Sequence, residues 1–343
     1  MAWRIGIDIG GTFTDVVAVA PGSHQRVDRK VLTTPHDPIE GVLAGVRGLA
    51  EGGVELAEAE AVVHATTLIT NALIERKGVA TALITNTGFA DLPDIGDEGR
   101  YDLYDLALRK PEPLVPRARR FEVDGRLAAD GGEIAPVDTA ALAETDWSGV
   151  EAVAVCLLHA YADGRHERAV RDALPEGVDV ALSSEVAPEI REHPRFTTTA
   201  ANAYVLPIAR RYLERMREAL GEVGLAAPLY IALSHEGITT PEDAARFPIR
   251  ILESGPAAGA TEAARALPDR DRILSFDMGG TTAKACYILD GRPLIEPEFE
   301  AARVHRFAAG SGLPLRVPVV DLIEIGAGGG SIARRDALGL IQA

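Results

Sequence analysis

The stretch at residues 5–22, IGIDIGGTFTDVVAVAPG, returns in altered form at residues 274–291 as LSFDMGGTTAKACYILDG. Laying Asp8 on Asp277 makes four positions coincide: Asp8/Asp277, Gly10/Gly279, Gly11/Gly280 and Thr12/Thr281. Each copy is an apolar strand, a two-glycine turn and a second apolar strand, closed by Pro-Gly or Asp-Gly, which is the pattern of a β-hairpin. Two copies this far apart predict a duplication, with two similar halves facing each other.

Glycine pairs let a turn take left-handed or otherwise crowded backbone conformations and approach a ligand closely. The freed N–H groups can then form a nest for phosphate oxygens. The hydroxyls of Thr12, Thr14, Thr281 and Thr282 would add donors at the same depth. An Asp at the end of the leading strand would repel phosphate unless a cation lay between them, and Mg²⁺, which keeps several waters, is the natural bridge. Phosphoryl transfer asks mainly for positioning and charge neutralisation. The expected site therefore has Asp8, Asp277 and Thr12 as catalytic residues and Asp8 and Asp277 as metal ligands. Gly10, Gly11, Thr12, Thr14, Gly279, Gly280, Thr281 and Thr282 would hold the phosphates of ATP. One such turn is as often a plain tight hairpin; two with the same Asp and Thr favour phosphate.

The 343 residues are 47% hydrophobic and 25% charged, which fits a globular protein of roughly two domains. Against 35 Lys and Arg stand 51 Asp and Glu, a net charge of −16. So acidic a surface repels polyanions, so neither nucleic acid nor an anionic membrane is an expected partner. The start of the chain reads as a strand and turn, not a signal peptide, and no apolar run approaches a membrane span. Cys156 and Cys286 lie in separate apolar runs and read as buried free thiols of a cytoplasmic protein. The histidines are scattered, with no zinc-type spacing.

Strands are expected at 3–9, 12–20 and 27–33, then a helix at 38–50, a strand over AVVHA, a helix at 68–77 and a strand over VATALIT. This is α/β alternation. Residues 88–133, rich in Pro and charge, read as an insertion or lid. Alternation resumes through a strand at 150–158, a helix at 164–174 and a strand at 178–182. A boundary at 190/191 divides the chain into 1–190 and 191–343. A long helix at 196–221, strands over PLYIALS and PIRILE, and helices at 241–246 and 256–267 complete the pattern.

With these motifs in order, the chain resembles the hydantoinase A/5-oxoprolinase family. The marks are GIDIGGTFTD (6–15), HATTLITNALIERKG (64–78), KPEPLVPR (110–117), SSEVAPEIREHPRFTTTAANAY (183–204), SGPAAG (254–259), FDMGGTTAK (276–284) and VDLIEIGAGGGSIA (320–333). The resemblance implies an α/β, actin-like (RNase H-like, sugar kinase/heat-shock) duplicated ATPase fold, here incomplete at the C-terminus. It also implies ATP-dependent hydrolysis of a cyclic amide (a hydantoin, N-methylhydantoin, 5-oxoproline or lactam) by carbonyl phosphorylation. The implied partner is a hydantoinase B-type subunit in a hetero-oligomer.

Three departures bear on substrate. Lys284 stands where many members have an acid, and it could bind phosphate directly. IGDEGRYDLYDL (95–106) lacks an Arg-Gln pair often seen after Ile-Gly. SHEG (234–237) replaces a more usual Ser-Asn-Gly-Gly. Lys284 and the stretch at 299–314 favour the alternative of an ATP-dependent ketone carboxylase subunit. A non-catalytic actin-like ATPase regulator is the alternative of another class, opposed by the shortage of cysteines for an iron–sulfur cluster.

Secondary candidates are Gly328 and Gly329 as nucleotide contacts, and Thr66, Thr67 and Asn71 at a helix start. Ser254-Gly255-Pro256 reads as structural capping, and His64 as a hydrogen-bonded core histidine. Arg210, Arg211, Arg215 and Arg217 read as a solvated face or subunit contact.

Overall fold

The computed structural model describes every residue except Met1, His24, Pro35, Thr281, Arg306, Phe307 and Ala343. The opening stretch forms β1 (Trp3–Ile9) and β2 (Phe13–Val19), an antiparallel hairpin in which Asp8 faces Asp15. β3 (Arg26–Leu32) adds on the far side of β2. The helix α1 (Pro38–Glu51) starts where Asp37 accepts a hydrogen bond from the Ile39 N–H and Pro38 supplies a first turn that needs no donor. Its stripe of Ile39, Val42, Val46 and Leu49 is buried, and Gly45 lets it lie against Val16.

β4 (Ala59–Thr66) runs parallel to β1 and leads into α2 (Leu68–Ile74). A second sheet then forms from β5 (Thr81–Asn86), β6 (Arg120–Leu127), β7 (Glu133–Asp138), β8 (Ala152–Val155) and β9 (Asp179–Leu182), in the order β7-β6-β5-β8-β9. The helix α3 (Arg165–Asp172) connects β8 to β9. The loosely patterned region at 88–133 thus contains β6 and the start of β7 as well as irregular chain. Its coil walls a cavity of about 660 Å³ together with the start of the next helix and residues 296–314.

The helix α4 (Glu192–Glu222) is longer than its sequence pattern suggested and has 17 buried residues. It packs against both sheets, contacting β8 and β9 on one side and α1 on the other. β10 (Leu229–Ala232) and β11 (Ile238–Thr239) then complete the first sheet, whose order is β11-β10-β4-β1-β2-β3. The boundary at 190/191 falls at the entry to α4, yet β10 and β11 beyond it return to the first half, so the two parts interlock. The expected strand over PIRILE is a 3₁₀ turn at Pro248–Ile251, between α5 (Pro241–Arg246) and α6 (Ser254–Ala266). Pro248 fits the first turn of a helix, and the Arg250 N–H closes a turn onto the Phe247 carbonyl.

The second copy of the repeat is the hairpin of β12 (Arg272–Met278) and β13 (Ala283–Leu289), with Asp277 facing Lys284. Ile273, Cys286 and Ile288 bury against α6. On the opposite face Leu274, Phe276, Met278 and Tyr287 are each more than half exposed. Cys156 and Cys286 are buried free thiols.

Gly78 marks the tightest packing between the sheets and α4. A Cβ there would lie 2.1 Å from Cδ1 of the Tyr204 ring, while the next residue, Val79, donates its N–H to the Tyr204 carbonyl at 2.9 Å. Gly78→Ala is therefore expected to lower unfolding free energy by about 1–3 kcal/mol, the range for overpacking. Urea denaturation checks this, and an unchanged midpoint would show that Tyr204 moves freely.

Candidate active site

The two repeats fold alike at their turns. The Gly10 N–H donates to the Phe13 carbonyl at 2.9 Å, and the Gly279 N–H donates to the Thr282 carbonyl, the equivalent acceptor, at 2.9 Å. None of Gly10, Gly11, Gly279 or Gly280 has a positive φ, so of the two reasons for glycine the left-handed one does not apply. Close approach is the operative reason for glycine instead. A Cβ on Gly280 would lie 3.0 Å from Thr12 Oγ1, so the two turns meet face to face across the halves. Thr281 lies outside the described residues.

The run at 326–330 joins them. The Gly329 N–H donates to the Gly279 carbonyl at 2.9 Å and the Gly330 N–H to the Gly280 carbonyl at 2.8 Å. Gly328 donates to Ser331 Oγ at 3.1 Å. The glycine-rich stretch is thus laid on the second turn, and the Gly328 and Gly329 N–H groups expected to contact nucleotide are bonded to Ser331 and Gly279.

Asp8 and Asp277 sit near the ends of β1 and β12, both open to water. Although water reaches it, Asp8 is walled by protein on most sides. Burial, with the Asp15 and Asp277 charges added, pushes its carboxyl up to about 6, while Lys30 pulls it down. Such crowding of like charges suits a site that receives a cation. Among the described residues no group of three or more His, Cys, Asp or Glu could hold a metal. A bound Mg²⁺ would therefore rely on Asp8 and Asp277, with waters and phosphate oxygens completing its shell.

Gly255, read from sequence as part of a helix cap, belongs to this site. A Cβ there would stand 2.7 Å from Asp8 Oδ1, so the first turn of α6 is pressed against the carboxylate. Ser254 Oγ accepts the Thr66 N–H at 3.1 Å and donates to the Thr66 carbonyl at 3.3 Å, tying that turn to the end of β4. A glycine beside a helix-starting proline was the available signal, but which strand the helix faces is a tertiary fact.

Several expected phosphate contacts are engaged elsewhere: the N–H groups of Gly10, Gly279, Gly328 and Gly329 are bonded within the protein, and so are two side chains. Thr14 is fully buried, and its hydroxyl shares a hydrogen bond of 3.1 Å with Thr33, which in turn donates to the Gly10 carbonyl at 2.9 Å. Alternation along β2 points Thr14 away from Asp8 and beneath the turn, so it braces the loop from below. Lys284 is ion-paired with Glu253, with both side chains largely buried. Its ammonium is thus not offered to phosphate in this structure.

At the start of α2, Thr67 donates to the Ile9 carbonyl at 3.3 Å and Asn71 donates to Thr67 at 3.3 Å, so these groups fasten α2 to β1. Arg210, Arg211, Arg215 and Arg217 each pair with an acid of the chain itself: Asp179, Glu151, Asp37 and Glu242 respectively.

His64 is a core residue. Its Nδ1–H donates to the Ile7 carbonyl at 3.3 Å and its Nε2 accepts from the Tyr212 hydroxyl at 2.8 Å. Burial pushes its pKa down to about 4, so the ring is neutral. Between the ordinary value near 6.5 and about 4, the unfolded chain binds a proton that the folded one refuses. Stability should therefore fall as pH drops through that window, by about 3 kcal/mol in all. Denaturant melts at pH 7 and pH 4.5 should show the loss shrinking in His64→Asn, and an equal loss would assign it to other groups.

The chain belongs to the hydantoinase/oxoprolinase family: residues 4–178 match the Hydantoinase/oxoprolinase N-terminal region and residues 195–342 match Hydantoinase/oxoprolinase. It is 38% identical, over 97% of its length and 51% of the relative's, to an uncharacterized protein of Methanocaldococcus jannaschii. It is 33% identical, over 99% of its length and 50% of the relative's, to caprolactamase subunit alpha of Pseudomonas jessenii. Among solved structures, nucleotide-free acetone carboxylase from a study of ATP-dependent acetone carboxylation superposes with a TM-score of 0.82 at 27% identity. That match covers 99% of this chain and 50% of the other. The chain thus spans about half the length of the relatives it matches. Among the described residues no helix is long and apolar enough to cross a membrane.

Proposed function

We propose that this chain is the ATP-handling portion of an actin-like enzyme that phosphorylates the carbonyl oxygen of a cyclic amide and so prepares the ring for hydrolysis. The observation that carries this reading is the meeting of two equivalent hairpins, with Thr12 against Gly280 and the Asp8 carboxylate crowded by Asp15 and Asp277. The N–H groups of Gly11, Thr12 and Gly280 would hold the phosphates, those of Gly10 and Gly279 being spent within their own turns, and Asp8 and Asp277 would hold Mg²⁺, which neutralises phosphate charge. The lactam oxygen would bond to the γ-phosphorus as the bond to ADP breaks, leaving an imidate-like ester whose ring water opens.

A relative named caprolactamase supports a lactam substrate. The superposition on acetone carboxylase supports a second reading, ketone carboxylation. Both relatives extend well beyond the matched region, and a hydantoinase B-type subunit is the proposed partner in a hetero-oligomer. The exposed apolar face of β12 and β13 is the kind of surface a protein contact covers.

The test is phosphate release from ATP and Mg²⁺ with ε-caprolactam, hydantoin or 5-oxoproline, and with acetone plus bicarbonate, in the presence and absence of such a subunit. Lactam-stimulated release without bicarbonate supports the hydrolase. Strict dependence on bicarbonate and ketone would transfer the assignment to the carboxylase.

A further inference from the structure

Two ion pairs of opposite polarity stand at equivalent places beside the two turns. In the first hairpin Asp15 lies across from Asp8 and pairs with Lys30 at 2.7 Å. In the second, Lys284 lies across from Asp277 and pairs with Glu253. Their surroundings differ. The Asp15 and Lys30 side chains are 52% and 55% exposed, whereas those of Glu253 and Lys284 are 10% and 16% exposed. An exposed pair contributes little. A buried pair, once made, cannot lose one partner without stranding the other charge in the interior.

The buried pair also joins the halves. Lys284 belongs to β13, while the Glu253 N–H donates to Thr70 Oγ1 of α2 at 3.2 Å. Glu253 is followed at once by Ser254, bound to Thr66, and by Gly255, pressed on Asp8. Its own backbone lies in the left-handed region, at φ 52°, which a non-glycine residue keeps only where its surroundings over-determine it. One short segment is therefore bound to α2, β4, β1 and β13 within three residues.

We propose that the Glu253–Lys284 pair is the strut that holds the second phosphate turn against the first, making both residues positioning residues for phosphoryl transfer. The catalytic part of this statement rests on the ATP reading above; the structural part does not. The Lys284 ammonium holds the helix start that abuts Asp8.

The experiment attaches spin labels at Val19→Cys and Leu289→Cys, exposed positions on the two hairpins, and measures the distance distribution between them by pulsed electron resonance. With Glu253→Gln or Lys284→Met the distribution should become at least twice as broad. The charge-swapped Glu253→Lys/Lys284→Glu protein keeps both charges and should return to the parental width. In parallel, turnover should fall about tenfold in the single variants while the Kd for Mg-ATP changes less than about threefold. Parental widths in both single variants, or a swapped protein that stays broad, overturn the strut. So does a tenfold weaker Kd in Lys284→Met at unchanged width, which would make Lys284 a phosphate ligand. If the parent binds no nucleotide, the ATP reading fails while the distances still decide the strut.

Discussion

Asp8→Asn should lose ATP turnover by a factor of about 10² or more while the nucleotide-free protein becomes more stable at pH 8. The first effect follows from removing one of the two carboxylates proposed to hold Mg²⁺, with charge stabilisation of this kind contributing at least that factor. The second follows from the protonation of Asp8, whose carboxyl is pushed up to about 6 by burial and by Asp15 and Asp277. Between the ordinary value of 3.8 and about 6, the folded protein holds a proton that the unfolded chain has released. The group's contribution to stability is therefore full below 3.8 and lost as pH rises through 6. Because water reaches the carboxylate, the gain on replacing it is discounted to about 1 kcal/mol, a rise in Tm of about 2 °C. Thermal melts at pH 8 and at pH 4, paired with phosphate release, check both. A lower Tm at pH 8 would show that Asp8 supports the fold and is not held there at a cost to it.

Gly255→Val is expected to be nearly as damaging, from the helix that abuts Asp8. Its Cβ would lie 2.7 Å from Asp8 Oδ1 and 3.3 Å from Cγ and Oδ2. The backbone of Asp8 is held by β1, which pairs with both β2 and β4, so either the carboxylate turns away or α6 withdraws, and each displaces the site. A displacement of about 1 Å at a reacting centre can cost about 10² in rate. The retreat would also pull on Ser254 and Glu253. We expect kcat to fall about 10²-fold, with a stability loss of about 1–3 kcal/mol typical of overpacking. Kinetics beside urea melts separate the two, and wild-type kcat would mean that α6 has no part in shaping the site.

The paired hairpins were legible in the sequence because each carries its own local evidence: alternating apolar residues on both sides of a Gly-Gly turn, with Asp and Thr at matching places. The hydrogen bonds from Gly10 and Gly279 to equivalent carbonyls bear out that symmetry. The direction of individual side chains was less legible. Thr14 lies two residues after Thr12 of the first turn, yet the two-residue period of β2 turns it into the core, a consequence of where the strand begins. The partner of Lys284 is 31 positions away, at the end of a turn that the sequence presented as a strand. PIRILE was misread because isoleucines at alternate positions suit a strand, while Pro248 and the short distance between two helices impose a 3₁₀ turn. Gly255 was hidden for a related reason: the residue is helical, and its need for smallness comes from Asp8, more than two hundred residues earlier.

The proposed Mg-ATP site spans both turns, one on each half. Calorimetric titration of Mg-ATP into the parent chain and into Asp277→Ala tests it most directly. The expected result is binding to the parent and its loss in the variant, whose altered side chain lies on the half opposite Asp8. Equal affinity in the two proteins, or no binding to the parent, would contradict it.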